Sequence, residues 1–316
     1  MNDNASFDLT QIVDGLREAR VRWRASQQRK EVGGRELPSR EALGAIACGL
    51  RGALFPMRLG PPDLRQESED FYVGHTLDSV LGALLAQVRL ELRHASRQPP
   101  GETDAAEGAE SADARALSIV RDFGAALPRL RTLLDSDVLA AFRGDPAARS
   151  VDEVLLCYPG MHAMINHRIA HELYGLGVPL LARLVAELAH GATGIDIHPG
   201  ATIGEGFFID HGTGVVIGET AQIGRNVRLY QAVTLGAKRF AVDDLGHLQK
   251  GGARHPILED DVVIYAGATV LGRVTIGRGS TIGGNVWLTR SVPPGSRIAQ
   301  ASAREDAAGD EASRWG

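Results

Sequence analysis

Between residues 197 and 288 the aliphatic positions recur every six residues. Ile197, Ile203, Ile209 and Val215 form one series, and Ile217, Ile223, Leu229 and Leu235 form a second after a slip of two. Leu258, Ile264, Val270, Ile276, Ile282 and Leu288 then run without a break. Gly follows the aliphatic residue at 203, 217, 223, 276 and 282. A period of six fits neither the 3.6 of a helix nor the alternation of a free strand. It predicts a parallel β-helix of hexapeptide repeats, each supplying one short strand and one corner of a triangular prism. The aliphatic side chain points into the prism, and Gly permits the tight corner. About four coils fit into 197–293, each burying its core only against its neighbours. Residues 236–256 break the period and are expected to leave the prism as a protruding loop, a common carrier of function.

The chain before the repeats has helical spacing. One apolar-periodic stretch runs from Leu77 to His94, a second from about Val151 to Leu176, and a third from Val178 to His190. Arg183 and Glu187 interrupt the third, which makes it an amphipathic helix and not a membrane span. Residues 97–114, RQPPGETDAAEGAESADA, are too rich in Pro, Gly, Ala and acid to bury much surface and read as a mobile insert. The expected organisation is an N-terminal α-helical domain over 1–194, the β-helix over 195–296 and a polar tail over 297–316. The fold class is α+β.

Composition narrows the function. The 316 residues are 44% hydrophobic and 23% charged, enough for a sizeable core. A net charge of −5 leaves no basic footprint for nucleic acid. No run reaches the roughly 20 apolar residues of a membrane helix, and the start MNDNASFDLTQ lacks the features of a secretory signal. A cytoplasmic protein with neither nucleic-acid nor membrane partners is expected. Cys48 and Cys157 cannot build a disulfide framework. Cys157, in the apolar LLCYPG, is expected in the core.

His198, His211 and His255 lie in or beside the repeats. A hydroxyl is a weak nucleophile at neutral pH and needs a base such as His at its proton. The other ring nitrogen needs an acceptor to fix the tautomer, and a carboxylate serves. Asp196 and His211 are 15 residues apart, a little less than one coil of eighteen, so the two fall on nearby strands. His198, before Pro199 at a coil start, reads as structural. His167 and His171 stand at i and i+4 on a helix, the spacing of a metal pair, without an evident third ligand. A three-His zinc site on the β-helix is disfavoured by the fixed charge of Arg254 beside His255.

The stretch GIDIHPGATIGEGFFIDHGTGVVIGETAQIG, 194–224, resembles the serine O-acetyltransferases of the hexapeptide-repeat acyltransferase superfamily. The match extends to LYQAVTLG (229–236), RHP (254–256), IYAGATVLG (264–272) and SVPPGS (291–296). Upstream, DPAA (145–148) and YPGMHAMINHRIAHELY (158–174) are similar to the end of that family's helical domain. The resemblance implies left-handed coiling and acetyl transfer from acetyl-CoA to the L-serine hydroxyl, the entry to cysteine biosynthesis, with no metal required. It implies His211 as general base, Asp196 as the carboxylate that orients it, and His255 as a second active-site histidine. Asp145 and Asp210 match carboxylates on the serine ammonium, Arg254 the cation on its carboxylate, and Glu219 a further site carboxylate. Ala266 and Gly267 match a position of close approach to CoA. The family also implies a homotrimer, or a dimer of trimers, with sites between subunits.

Three features depart from that pattern. The loop 237–253 is longer than in the best-known members, the closing Gly-x-Pro-Ala is missing after Pro294, and the chain ends Trp315-Gly316. Family members that dock into the cysteine-forming sulfhydrylase use a C-terminal Ile, so a cysteine synthase complex is not expected. Two other readings stay open: a relative that acetylates a sugar or antibiotic hydroxyl, which would not need Asp145, Asp210 and Arg254 as a zwitterion clamp, and a non-catalytic scaffold, which would not bind CoA.

Overall fold

The computed structural model describes residues 7–26, 37–96, 111–239, 248 and 251–300. Among the described residues, eight α-helices precede the prism: α1 (Leu9–Ser26), α2 (Arg40–Leu54), α3 (Pro56–Leu59), α4 (Glu69–Ala95), α5 (Ala112–Gly144), α6 (Val151–Cys157), α7 (Pro159–Gly175) and α8 (Pro179–Thr193). Leu84, Val88, Phe123, Leu130, Leu134, Ile165, Ile169 and Leu181 form one buried core between α2, α4, α5, α7 and α8. The buried Glu91 of α4 accepts the Leu180 and Leu181 N–H groups, both at 2.8 Å, and so caps the N-terminus of α8.

The apolar stretch expected as one helix over 151–176 is two. Tyr158 has extended backbone (φ −81, ψ 120) and Pro159 starts the next helix, because the residue before a proline avoids helical angles. Cys157 is exposed, not in the core: in the short α6 the buried positions are Val154 and Leu155. Residues 97–110 of the acidic insert lie outside the described residues, and the stretch ends sooner than 114, since Ser111 caps α5 and Ala112 opens it.

Fourteen strands follow among the described residues: β1 (Asp196–Ile197), β2 (Thr202–Ile203), β3 (Phe208–Ile209), β4 (Val216–Ile217), β5 (Gln222–Ile223), β6 (Arg228–Leu229), β7 (Thr234–Gly236), β8 (Ile257–Leu258), β9 (Val263–Ile264), β10 (Thr269–Leu271), β11 (Thr275–Ile276), β12 (Thr281–Ile282), β13 (Trp287–Leu288) and β14 (Arg297–Ile298). Strands three apart pair in parallel up to β13, and β14 pairs with β12, giving faces β1-β4-β7-β10-β13, β2-β5-β8-β11 and β3-β6-β9-β12-β14. This is a three-sided parallel β-helix. It holds nearly five coils rather than four, and β14 carries it past residue 296, because Arg297 and Ile298 pair with Thr281 and Ile282. The series residues point inward and are almost fully buried.

The slip of two lies between β3 and β4. Paired residues on one face are 20 apart from the first coil to the second (Asp196 to Val216) and 18 apart from the second to the third (Val216 to Thr234). The two extra residues enlarge the corner that contains His211. The long loop enters where the register jumps from Gln222 to Ile257; within it, 240–247 and 249–250 lie outside the described residues.

A buried ion pair fastens the helices to the prism. Arg168 of α7 meets Asp137 of α5 through two hydrogen bonds of 2.6 and 2.8 Å. Its guanidinium also donates to the carbonyls of Ile203 and Gly204, and Asp137 accepts the Phe207 N–H. Gly160 opens α7 against the prism: a Cβ there would lie 2.4 Å from the Ile209 carbonyl oxygen. These contacts fix the helix ends beside the β3 corner.

Candidate active site

Two clusters of polar side chains lie at opposite edges of the face that contains β4. At the first edge, where β3 turns into β4, His211 has a left-handed backbone (φ 61). That conformation is uncommon outside Gly, Asn and Asp and marks a corner held by its surroundings. The His211 side chain is 71% exposed, with Nε2 3.8 Å from Asp210 Oδ1. Asp210 is buried and accepts from Arg228 Nη2 at 2.8 Å. Arg228 also donates to the Gly144 carbonyl and lies against the rings of Phe208 and Tyr230.

The helix ends supply the rest of this cluster. Asp145, the C-cap of α5, accepts from the Tyr158 hydroxyl at 2.5 Å and from the Ala147 N–H at 2.8 Å. The Tyr158 hydrogen bond holds the Asp145 carboxyl below its ordinary value. The same bond pushes the Tyr158 phenol up to about 12. Asp145, Asp210 and His211 are thus brought together, with two carboxylates able to accept further donors.

The second cluster occupies the edge where β4 turns toward β5. His255 Nδ1 accepts from the Thr220 N–H at 3.0 Å, which leaves the proton of the neutral ring on Nε2. Burial, and then the neighbouring Arg254 guanidinium, lower His255 to about 4. It is therefore a neutral hydrogen-bond donor at physiological pH. Its ring lies over Gly218, where a Cβ would sit 2.0 Å from Cδ2. Arg254 Nη2 donates to Glu219 Oε2 at 2.6 Å, and the Tyr174 hydroxyl donates to Oε1 at 3.0 Å. Burial pulls Glu219 upward, but these hydrogen bonds outweigh it and hold the carboxyl below its ordinary value. His198 flanks this group edge-on to Tyr174 and is lowered by burial and then by Arg183. Its Nδ1 accepts the Gly200 N–H, the structural use expected of it.

Asp196 lies on β1, next to the His211 corner through the backbone: Asp196 N–H donates to Val215 O, and Gly214 N–H to Gly194 O. No hydrogen bond or ion pair joins its carboxylate to His211 among the described residues. His171 Nδ1 donates to the Pro199 carbonyl, and His167 is buried beside it, so this pair packs the helix–prism junction. Ala266 and Gly267 occupy the corner line that climbs from His211. Ala232 N–H donates to Thr213 O, Gly267 N–H to Gln231 O, and Asn285 N–H to Ala266 O, one coil above another. Gly267 (φ 72) has no room for a Cβ, which would lie 2.2 Å from Asn285 Oδ1.

Within one chain the His211 and His255 clusters do not meet. They are separated by the width of a prism face, roughly 15–20 Å for a hexapeptide. Arg228, Tyr158, Tyr174 and Thr220 belong to these clusters and carry no sequence signal of their own except position: Arg228 is the outward residue paired with Phe208, beside Asp210.

The three-sided parallel β-helix of hexapeptide repeats, with histidines at its corners, places the chain in the class of hexapeptide-repeat acyltransferases. Residues 255–290 match the model of the bacterial transferase hexapeptide (six repeats). A plasmid serine acetyltransferase of Synechococcus elongatus is 59% identical over 272 residues, covering 85% of this chain and 84% of that one. The serine acetyltransferase of Bacillus subtilis is 49% identical over 166 residues, 52% of this chain and 72% of that one. Among solved structures, serine acetyltransferase isoform 3 of Entamoeba histolytica, in complex with cysteine, is 34% identical with a TM-score of 0.67, each chain covered to 82%. Soybean serine acetyltransferase complexed with serine is 31% identical with a TM-score of 0.52, covering 84% of this chain and 99% of that one. The chain belongs to the serine acetyltransferase family, and its fold is that family's helical region followed by a left-handed parallel β-helix.

Proposed function

We propose that this protein transfers acetyl from acetyl-CoA to the hydroxyl of L-serine, giving O-acetyl-L-serine and CoA, at a site closed by two copies of the chain. The observation that carries this reading is the division of the charged residues into two clusters on opposite edges of one face. One has two carboxylates beside an exposed histidine; the other has a guanidinium and a neutral imidazole donor. A trimer of prisms sets one edge against the other, a cyclic closure common among oligomers. The joined clusters then complement a zwitterion: Asp145 and Asp210 toward the ammonium, and Arg254, kept in place by Glu219, toward the carboxylate.

In this reading His211 accepts the serine hydroxyl proton while the oxygen attacks the thioester carbonyl carbon. The tetrahedral intermediate collapses with loss of the CoA thiolate, which takes the proton back from the His211 imidazolium. Asp196 orients the imidazole from β1, one strand away. His255 Nε2–H donates to the bound substrate near the reacting carbonyl. The CoA arm follows the corner line past Ala266 and Gly267, where only small side chains leave room.

Thiol release from acetyl-CoA tests the reading, with L-serine compared against D-serine, homoserine and a simple sugar. Rapid release with L-serine alone is expected. Release only with another hydroxyl would discard the amino-acid clamp, and no release with any acceptor would discard the enzyme.

A further inference from the structure

Glu187 and His190 of α8 and Asp196 of β1 meet at the junction of the helical region and the prism. One ligand atom of each lies within 4.8 Å of the others, and His190 Nδ1 is 3.3 Å from Glu187 Oε2. The local fold makes this meeting obligatory. Spacing i, i+3 puts Glu187 and His190 on one side of α8. Gly194, in the left-handed conformation (φ 69), ends that helix and turns the chain back into β1, which returns Asp196 beneath it. All three are partly exposed, so an ion from solvent reaches them without any opening of the fold.

The chemistry of the group favours a cation. An imidazole nitrogen and carboxylate oxygens are all donors that zinc accepts, and three protein ligands leave a fourth position for water. The site also lies at the C-terminal turn of α8, the negative end of the helix dipole. Two arginines lie close: Arg40 Nη2 donates to the Glu187 backbone carbonyl at 3.5 Å, and Arg183 is the cation on the Glu187 carboxylate. It takes Glu187 Oε1 at 2.8 Å and leaves Oε2 toward His190, so it orients the carboxylate without occupying the ligand atom.

We propose that Glu187, His190 and Asp196 bind a divalent transition-metal ion such as zinc, which accepts both imidazole and carboxylate donors, and that its binding inhibits acetyl transfer. The inhibitory part rests on the function proposed above. There Asp196 turns to His211 during the reaction, and a carboxylate held by a metal beside α8 is not free to accept a hydrogen bond from that imidazole. The site thus couples ion availability to turnover through a residue shared by both.

Calorimetric titration of the full chain with zinc, in a non-chelating buffer and without substrates, reads the site by itself. One zinc per chain is expected, with His190→Ala and Glu187→Gln each weakening binding by at least about tenfold. His190 lies outside the catalytic groups, so the zinc-free rate of His190→Ala should equal the wild-type rate. That rate should also resist zinc concentrations that silence the wild type. No binding by the wild type, or equal binding by the variants, would overturn the site. Zinc bound at the triad with undiminished turnover would overturn its inhibitory role. A wild type that binds zinc there yet transfers no acetyl to serine would support the site and overturn the proposed function instead.

Discussion

His211 and Arg254 differ in what each stands to lose. The His211 side chain is exposed, and its nearest charged partner among the described residues is Asp210 at 3.8 Å, so His211→Ala should leave the fold intact. It should cut turnover about 10²–10⁴-fold, the usual contribution of a general base. Arg254 makes a charge-assisted bond to Glu219. Arg254→Met should raise the serine KM about tenfold or more, the scale of one lost hydrogen bond to a charged group, while the KM for acetyl-CoA changes little. Steady-state kinetics with each substrate varied separates the two, and an unchanged serine KM would remove Arg254 from the clamp. The motifs made these residues legible, because DHGTG and RHP keep them at fixed corners of the repeat. Tyr158, Tyr174 and Thr220 were not legible. Each acts by reaching another element, Tyr158 from the start of α7 to Asp145 and Tyr174 from its end to Glu219, and no periodicity records such contacts.

Among the elements, the prism was the most legible, since a six-residue period has no other simple structural solution. What the period did not reveal was the use of its interruption: the two extra residues between β3 and β4 form the corner that presents His211. The helical region was read less well. Apolar spacing continues through Tyr158-Pro159, so one helix was expected where proline geometry makes two. The bond between helices and prism was also hidden, because Asp137 and Arg168 look like ordinary surface charges in sequence. They are buried and satisfy each other together with Ile203, Gly204 and Phe207. Removing one partner of such a pair leaves an uncompensated charge, so Asp137→Ala should cost about 3–5 kcal/mol of stability in urea unfolding. Replacing both residues with apolar ones of similar size should cost less. A single variant as stable as the wild type would contradict this anchoring.

Across the whole molecule, burial or partial burial holds several histidines below their ordinary value. Burial lowers His162, His167 and His198, and His255 to about 4. Below about pH 6.5 the unfolded chain binds protons that these folded histidines refuse, so their contribution is complete above that pH and is lost as pH falls. In His167→Gln the slope of stability against pH between 6.5 and 5 should shrink by up to about 1.4 kcal/mol per pH unit, one proton's worth. Urea midpoints across that range check it, and a wild-type slope in the variant would contradict it. The same scale holds the central claim, that His211 of one copy works with His255 of another. The direct measurement is thiol release from acetyl-CoA with L-serine by assemblies formed from co-expressed His211→Ala and His255→Ala chains. Each variant alone should be slow. If the two edges meet between copies, about one interface in four pairs an intact His211 with an intact His255, and the mixture should recover about a quarter of wild-type turnover. A mixture no faster than the single variants would contradict the account.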